Sequence, residues 1–150
     1  MNGIDEELGL AQPEKDTQKV ISIEEAPKRR PFHYWKVAGE EIRLKLKAGM
    51  ILRVEDKLGK NIMGILTDAD SGVPKLSDML TVVQAAAAPW EHKLSFSRVQ
   101  ELYDKWVDEE EGDQMKFMSQ VFMPTLVVSG FFTAKQGKEV LEAMEEVADE

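Results

Sequence analysis

The sequence predicts an α+β fold that is mainly helical, in which an N-terminal two-stranded β-hairpin packs on about four helices. Two patterns carry this prediction. Residues 42–47 alternate apolar and basic side chains in strict period two, which is typical of a half-buried strand. From Ala48 onward the apolar side chains recur at helical spacing instead. A chain of 150 residues suits one such domain with a tail at each end.

The predicted hairpin consists of two short apolar and aromatic runs. Residues 32–37 are aromatic and β-branched and form the first strand, and residues 42–47 form the second. Gly39 lies in the turn between them, where its freedom to adopt positive φ is useful. An isolated hairpin is only marginally stable in water, so helices must cover its apolar face.

Four helical segments are predicted after the hairpin. Their apolar faces are formed, in chain order, by Met50, Ile51, Val54 and Leu58; by Leu76, Met79, Leu80, Val83, Ala86 and Ala87; by Val99, Leu102, Tyr103, Trp106 and Val107; and by Met115, Met118, Phe122, Leu126 and Val127. Pro124 lacks an amide hydrogen and is expected to kink the fourth helix, and Gly130 is expected to end it.

Three regions are expected along the chain. Residues 1–30 form a disordered N-terminal arm, in which Val20-Ile21-Ser22-Ile23 is the only apolar cluster. Residues 31–132 form the helical domain with its N-terminal hairpin. Residues 133–150 form an acidic C-terminal tail, whose short helix would fray unless a partner covers its apolar stripe. That stripe consists of Val140, Leu141, Met144 and Val147. Both ends are therefore expected to be mobile in the free protein.

Composition and charge argue against several classes of function. The chain has no cysteine, which excludes disulfides, thiolate metal sites and a cysteine nucleophile. Its formal charge of -9 argues against a nucleic-acid partner, because phosphate binding needs cations. The charge-free stretch 117–134 is interrupted by polar residues and Pro124, so we expect no membrane span. The acidic N-terminus does not resemble a secretion signal, and a cytoplasmic location is expected.

The charges are nevertheless distributed unevenly. Residues 28–47 hold seven basic and two acidic side chains, whereas residues 101–113 hold seven acidic ones and Lys105. Two interpretations remain open: these are solvated faces, or they steer docking to a partner or to a second copy of the chain.

No catalytic, cofactor or metal site is predicted. His33 and His92 are far apart and are expected to be structural or surface residues. The loop from Asp68 to Gly72, followed by Asp78, partly resembles a calcium-binding loop, but its glycine comes one position too early. The chain also lacks a glycine-rich phosphate loop and a Gly-x-Ser-x-Gly elbow. We therefore expect a protein without enzymatic activity and without a cofactor.

The order of the segments carries a family resemblance. In chain order these are the aromatic and basic strand, the strand with Leu44-Lys45-Leu46, the helix end Glu55–Ile62, the alanine-rich Val82–Ala88, Leu94-Ser95-Phe96 leading into Val99–Trp106, an acidic break, and Val127-Val128-Ser129-Gly130-Phe131-Phe132. Over about residues 31–134 this order resembles the tail assembly chaperones of siphophages, particularly those of Gram-positive hosts.

The resemblance implies a role in phage assembly. Such chaperones act in the cytoplasm of the infected host cell, where they bind the tape measure protein, keep it soluble and help tail tube protein polymerise around it. They are absent from the mature virion, and many have a longer form, made by a programmed frameshift. The family has no catalytic residues. Pro124 and the long arm depart from its pattern. The alternatives are a small acidic interaction or regulatory module and a minor structural virion protein.

Four apolar residues are the candidates for partner binding. Met118, Phe122, Phe131 and Phe132 surround the end of the kinked helix, which a small core is expected to cover incompletely. The alternative for the two C-terminal phenylalanines is a hydrophobic contact that folds back on the fourth helix. Methionines on this helix are gap-filling core residues in the same alternative.

Overall fold

The computed structural model describes residues 28–67 and 72–149, with side chains described as far as residue 146. The expected disorder of the arm concerns residues 1–30, most of which lie outside the described residues, as does most of the Asp68–Gly72 loop. Within the described part, the predicted mainly helical α+β fold with an N-terminal hairpin is confirmed.

The hairpin consists of β1 (His33–Val37) and β2 (Glu40–Leu44), paired antiparallel with Trp35 opposite Ile42. Its two turn residues, Ala38 and Gly39, both have positive φ, at 55° and 73°. This is the backbone of a tight two-residue hairpin turn, whose twist matches that of the strands.

The second strand is shorter at its end than its alternation predicted. Pairing stops at Leu44, because the next amides bond to other parts of the molecule. The Lys45 amide donates to the Ala86 carbonyl at 3.1 Å, and the Leu46 amide donates to the Ser129 hydroxyl at 2.8 Å. The apolar and basic alternation continues past the strand because one side of the segment still faces the core.

The helices follow in the predicted order. They are α1 (Ala48–Leu58), α2 (Ile62–Thr67), α3 (Leu76–Ala87), α4 (Phe96–Glu110), α5 (Gln114–Phe117), a π-helical segment (Met118–Phe122), α6 (Met123–Val128) and α7 (Ala134–Asp149). The segments from α5 to α6 run without a break and correspond to the predicted fourth helix. Gly130 ends that helix as predicted: its φ is 91°, and the following Phe131 amide bonds back to the Leu126 carbonyl.

An aromatic cluster joins the hairpin to the helices. The Phe117 ring lies 5.4 Å from that of Trp35, 5.3 Å from Tyr103 and 5.6 Å from Trp106, and each pair meets near edge to face. Such contacts add to the free energy gained by burying the rings. This cluster holds β1, α4 and α5 in one core.

The C-terminal tail is helical and packs against the domain. Helix α7 contacts α6 and the π-helical segment. Val140 and Met144 are half-buried against the core, so the domain itself partly covers the stripe for which the sequence suggested a partner. Gly137 allows this close approach, because a Cβ at that position would lie 2.8 Å from a Val127 methyl group.

Candidate functional site: the α7 groove

A proline and a histidine shape one side of the candidate site. Pro124 cannot donate to the carbonyl of Gln120, four residues earlier, and the chain forms the π-helical segment directly before it. His33 bonds to this carbonyl instead, since its Nε2 lies 2.8 Å from the Gln120 carbonyl oxygen. The helix is therefore tied to β1 at Gln120, four residues before the proline that was predicted to kink it.

The hydrogen bonds of His33 define its neutral tautomer. A carbonyl oxygen can only accept, so Nε2 carries the proton. Nδ1 then accepts from the Arg30 guanidinium at 3.4 Å. Burial lowers the pKa of His33 below its ordinary value of 6.5; the bond to Gln120 partly opposes this shift, and the charge of Arg30 adds to it.

This lowered pKa predicts a pH-dependent stability. Below about pH 6.5 the unfolded chain takes up a proton at His33 more readily than the folded chain, so stability falls as the pH drops toward the folded pKa. Well above pH 6.5 His33 is neutral in both states and the dependence disappears. We expect His33→Gln, which can still donate to Gln120, to remove this part of the acid sensitivity. Urea unfolding at pH 7.5 and pH 5.5 would measure it, and an equal loss of stability in both proteins would contradict the assignment.

The candidate site itself is a groove along α7, which we call the α7 groove. It consists of two adjoining cavities of about 530 and 390 Å³ that share Arg30, Leu141 and Glu145. The first is lined by Lys28, Arg29, Arg30, Val127, Val128, Ala134, Lys138, Leu141, Glu142 and Glu145. The second is lined by Arg30, His33, Ser119, Gln120, Pro124, Leu141, Met144 and Glu145.

The α7 groove combines an apolar floor with a charged rim. Its floor is built from α6 and α7, with Val127, Leu141 and Met144 as examples. Residues 28–30 form one wall, held in place where the Arg29 guanidinium donates to the Phe132 carbonyl at 2.8 Å. The charged side chains of the lining are four cations and two carboxylates. Such a site suits an apolar chain segment that carries charges at its edges.

The four sequence-predicted residues divide into two pairs. The expectation that the core covers them incompletely is wrong for Phe122, which has no exposed surface, and for Met118, which is 8% exposed. The π-helical segment is packed on both sides, by the hairpin and α3 and by α7, so these two side chains are core residues. Phe131 and Phe132 are half-buried, at the bend between α6 and α7 beside the groove.

Sequence reasoning did not select as binding residues those of the groove that lie on α7, in the π-helical segment and in the segment before β1. The stripe with Leu141 and Met144 was visible as a helical pattern, but no pattern showed which element lies opposite. Arg29 and Arg30 were visible only as part of a basic run.

The basic face of the hairpin forms a second surface. Arg43 lies 5.2 Å and Lys45 lies 5.8 Å from the centre of the Phe32 ring, and Lys47 lies 5.4 Å from that of Trp90. The two rings meet edge to face at 5.0 Å. These cations therefore stack on the protein's own aromatic side chains.

Asp78, considered above as a calcium ligand, has a structural partner. Asp78 is largely buried and pairs with Lys60 at 3.2 Å, which accounts for its carboxylate without a metal. Within residues 28–67 and 72–149, no three His, Asp or Glu side chains come together in a way that could hold a metal ion. In the same part of the chain, no helix has the length and apolar character needed to cross a membrane.

Comparison with known proteins identifies a family for most of the chain. Residues 33–150 match DUF6096, a family of unknown function. The chain belongs to the DUF6096 family. No curated protein and no solved structure matches it significantly.

The DUF6096 match covers β1 to α7. It therefore includes His33, Pro124, Phe131, Phe132 and both helices that form the floor of the groove. The wall formed by residues 28–30 precedes the matched region.

Proposed function

We propose that this chain is a phage tail assembly chaperone. In this role it binds the tape measure protein in the cytoplasm of the infected host cell, keeps it soluble, promotes tail-tube polymerisation around it and is absent from the mature virion. The observation that supports the proposal best is the α7 groove, an open apolar surface with a charged rim beside Phe131 and Phe132.

The groove has the chemistry that a holdase needs. A tape measure chain is long and exposes apolar segments before the tube encloses it. Leu141 and Met144 offer aliphatic and thioether surface, and methionine adapts well to side chains of different shapes. Arg30 and Glu145 at the rim can pair with charges of either sign in a bound segment.

The charge of the protein supports the same role. Each copy of the chain carries a formal charge of -9, so complexes of the chain with a bound segment repel one another and stay soluble. Contact with tail tube protein would come from a longer, frameshifted form of the chain, as in the chaperones that the sequence resembles.

The test of this function is a solubility assay in cells. The tape measure protein of the same phage is co-expressed with the chain, and its soluble fraction is measured. We expect Phe131→Ser/Phe132→Ser and, separately, Leu141→Gln/Met144→Gln to lower the soluble fraction severalfold. The first pair removes apolar surface at the bend beside the groove, and the second removes apolar surface from its floor. Helix content should be kept, with a modest loss in melting temperature because these residues are only half-buried.

Leu52→Gln provides the matched control. Leu52 is 68% exposed on α1, which is not among the elements that line the groove, so the same type of change there should leave the tape measure protein soluble. A folded groove variant that solubilises normally would place the binding site elsewhere. Detection of the chain in purified virions by mass spectrometry would favour a structural virion protein instead.

A further inference from the structure

The segment before the hairpin runs along the α7 groove. His33 and Arg30 line the cavity that contains Met144, and Arg30 continues into the cavity that contains Lys28 and Ala134. Followed toward the N-terminus, the chain thus passes from the C-terminal half of α7 to its beginning. Lys28, the first residue that the structure describes, therefore lies at the end of the groove where Arg29 bonds to the Phe132 carbonyl.

We propose that residues 20–25 of the arm dock on this open end of the α7 groove in the free protein. The docking surface of this segment is the β-branched cluster Val20-Ile21-Ser22-Ile23, the apolar run of the arm that lies nearest to the groove in sequence, followed by Glu24 and Glu25. For these six residues the proposal replaces the disorder expected from the sequence. It does not depend on the proposed chaperone function.

The chemistry of the segment matches that of the groove. The apolar cluster suits the half-exposed side chain of Leu141, which lines this cavity, and the half-buried ring of Phe132. Glu24 and Glu25 come next in the chain, nearer to Lys28, and in the docked segment they would come within reach of Lys138 on the first turns of α7. The cavity lining holds four cations against the two carboxylates Glu142 and Glu145, so its net positive charge attracts the acidic end of the segment.

The linker between the apolar cluster and Lys28 can span the groove, and it is short enough to keep the cluster close to it. Ile23 lies five positions before Lys28, and an extended chain of five residues reaches about 17 Å. The stretch of α7 from Ala134 to Glu145 is itself about 17 Å long, at about 1.5 Å per residue. So short a linker raises the effective concentration of the segment to the millimolar range, which favours the chain's own arm over a free competitor of similar weak affinity.

The test uses the absence of cysteine in the full-length chain. Ser22→Cys introduces one attachment site and leaves the three aliphatic residues of the cluster intact. A nitroxide spin label on this cysteine should broaden the amide signals of Leu141 and Lys138 in a ¹⁵N-labelled sample. A label on Asn2→Cys, in the same arm but remote from the cluster, should leave these signals intact.

Two further samples make the result decisive. Adding Ile21→Asp and Ile23→Asp to the Ser22→Cys protein should restore most of the lost signal, because carboxylates cannot occupy an apolar floor. Absence of broadening from position 22 would overturn the proposal, as would equal broadening from position 2. A third result would also overturn it: signal broadening in a ¹⁵N-labelled chain without nitroxide that is mixed with a nitroxide-labelled ¹⁴N chain. The contact would then be intermolecular.

Discussion

Replacing Phe117 with alanine is expected to lower the free energy of unfolding by about 3–5 kcal/mol. Phe117 has no exposed surface, and its ring meets those of Trp35, Tyr103 and Trp106. Removing the phenyl group leaves a cavity between a strand and a helix. These rigid neighbours cannot collapse fully into that space, so the lost contacts are not regained.

Denaturant unfolding measures this loss, and Phe96→Ala is the matched control. Phe96 begins α4, is only half-buried and carries Lys57 over its ring at 5.5 Å. The same truncation there should lower the free energy of unfolding by about 1 kcal/mol, because the Phe96 ring is partly exposed and its removal leaves no enclosed cavity. If the two variants lose equal stability, the aromatic cluster is not the centre of the core.

Patterns along the chain were sufficient to predict the hairpin and the helices. The alternation of residues 42–47 and the helical spacing after Ala48 are local properties, and local properties determine which face of an element is apolar. They do not determine what covers that face. Phe122 and Leu141 were both visible as apolar positions, yet only the tertiary packing makes one a core residue and the other the floor of a groove.

The hydrogen bond between His33 and Gln120 is a second feature that local patterns predict only in part. Pro124 by itself implies that the carbonyl of Gln120 needs a donor from outside the helix. The donor, however, lies 87 residues earlier in the chain, and no spacing rule connects the two positions. The need for a donor at the Gln120 carbonyl could therefore be predicted from the sequence, whereas the donor itself could be identified only from the fold.

Gly112 illustrates a position where glycine is needed for space. A Cβ at this position would lie 2.3 Å from Cε3 of Trp106, closer than any two carbon atoms can approach without bonding. Trp106 cannot easily yield, because its ring is packed against those of Trp35 and Phe117. We expect Gly112→Ala to lower the free energy of unfolding by about 1–3 kcal/mol through this overpacking.

Gly49→Ala is the matched control and should have the opposite sign. Gly49 lies in α1 with no atom within 4 Å of the position that a Cβ would occupy, and its φ is not positive. Alanine there should stabilise the protein by up to about 1 kcal/mol, because glycine has the lower helix propensity. Near-ultraviolet circular dichroism separates the two effects, since only Gly112→Ala should change the tryptophan signals. A neutral Gly112→Ala with unchanged signals would mean that the chain around residue 112 can move away from Trp106, so that the close approach is not required for the packing of the aromatic cluster.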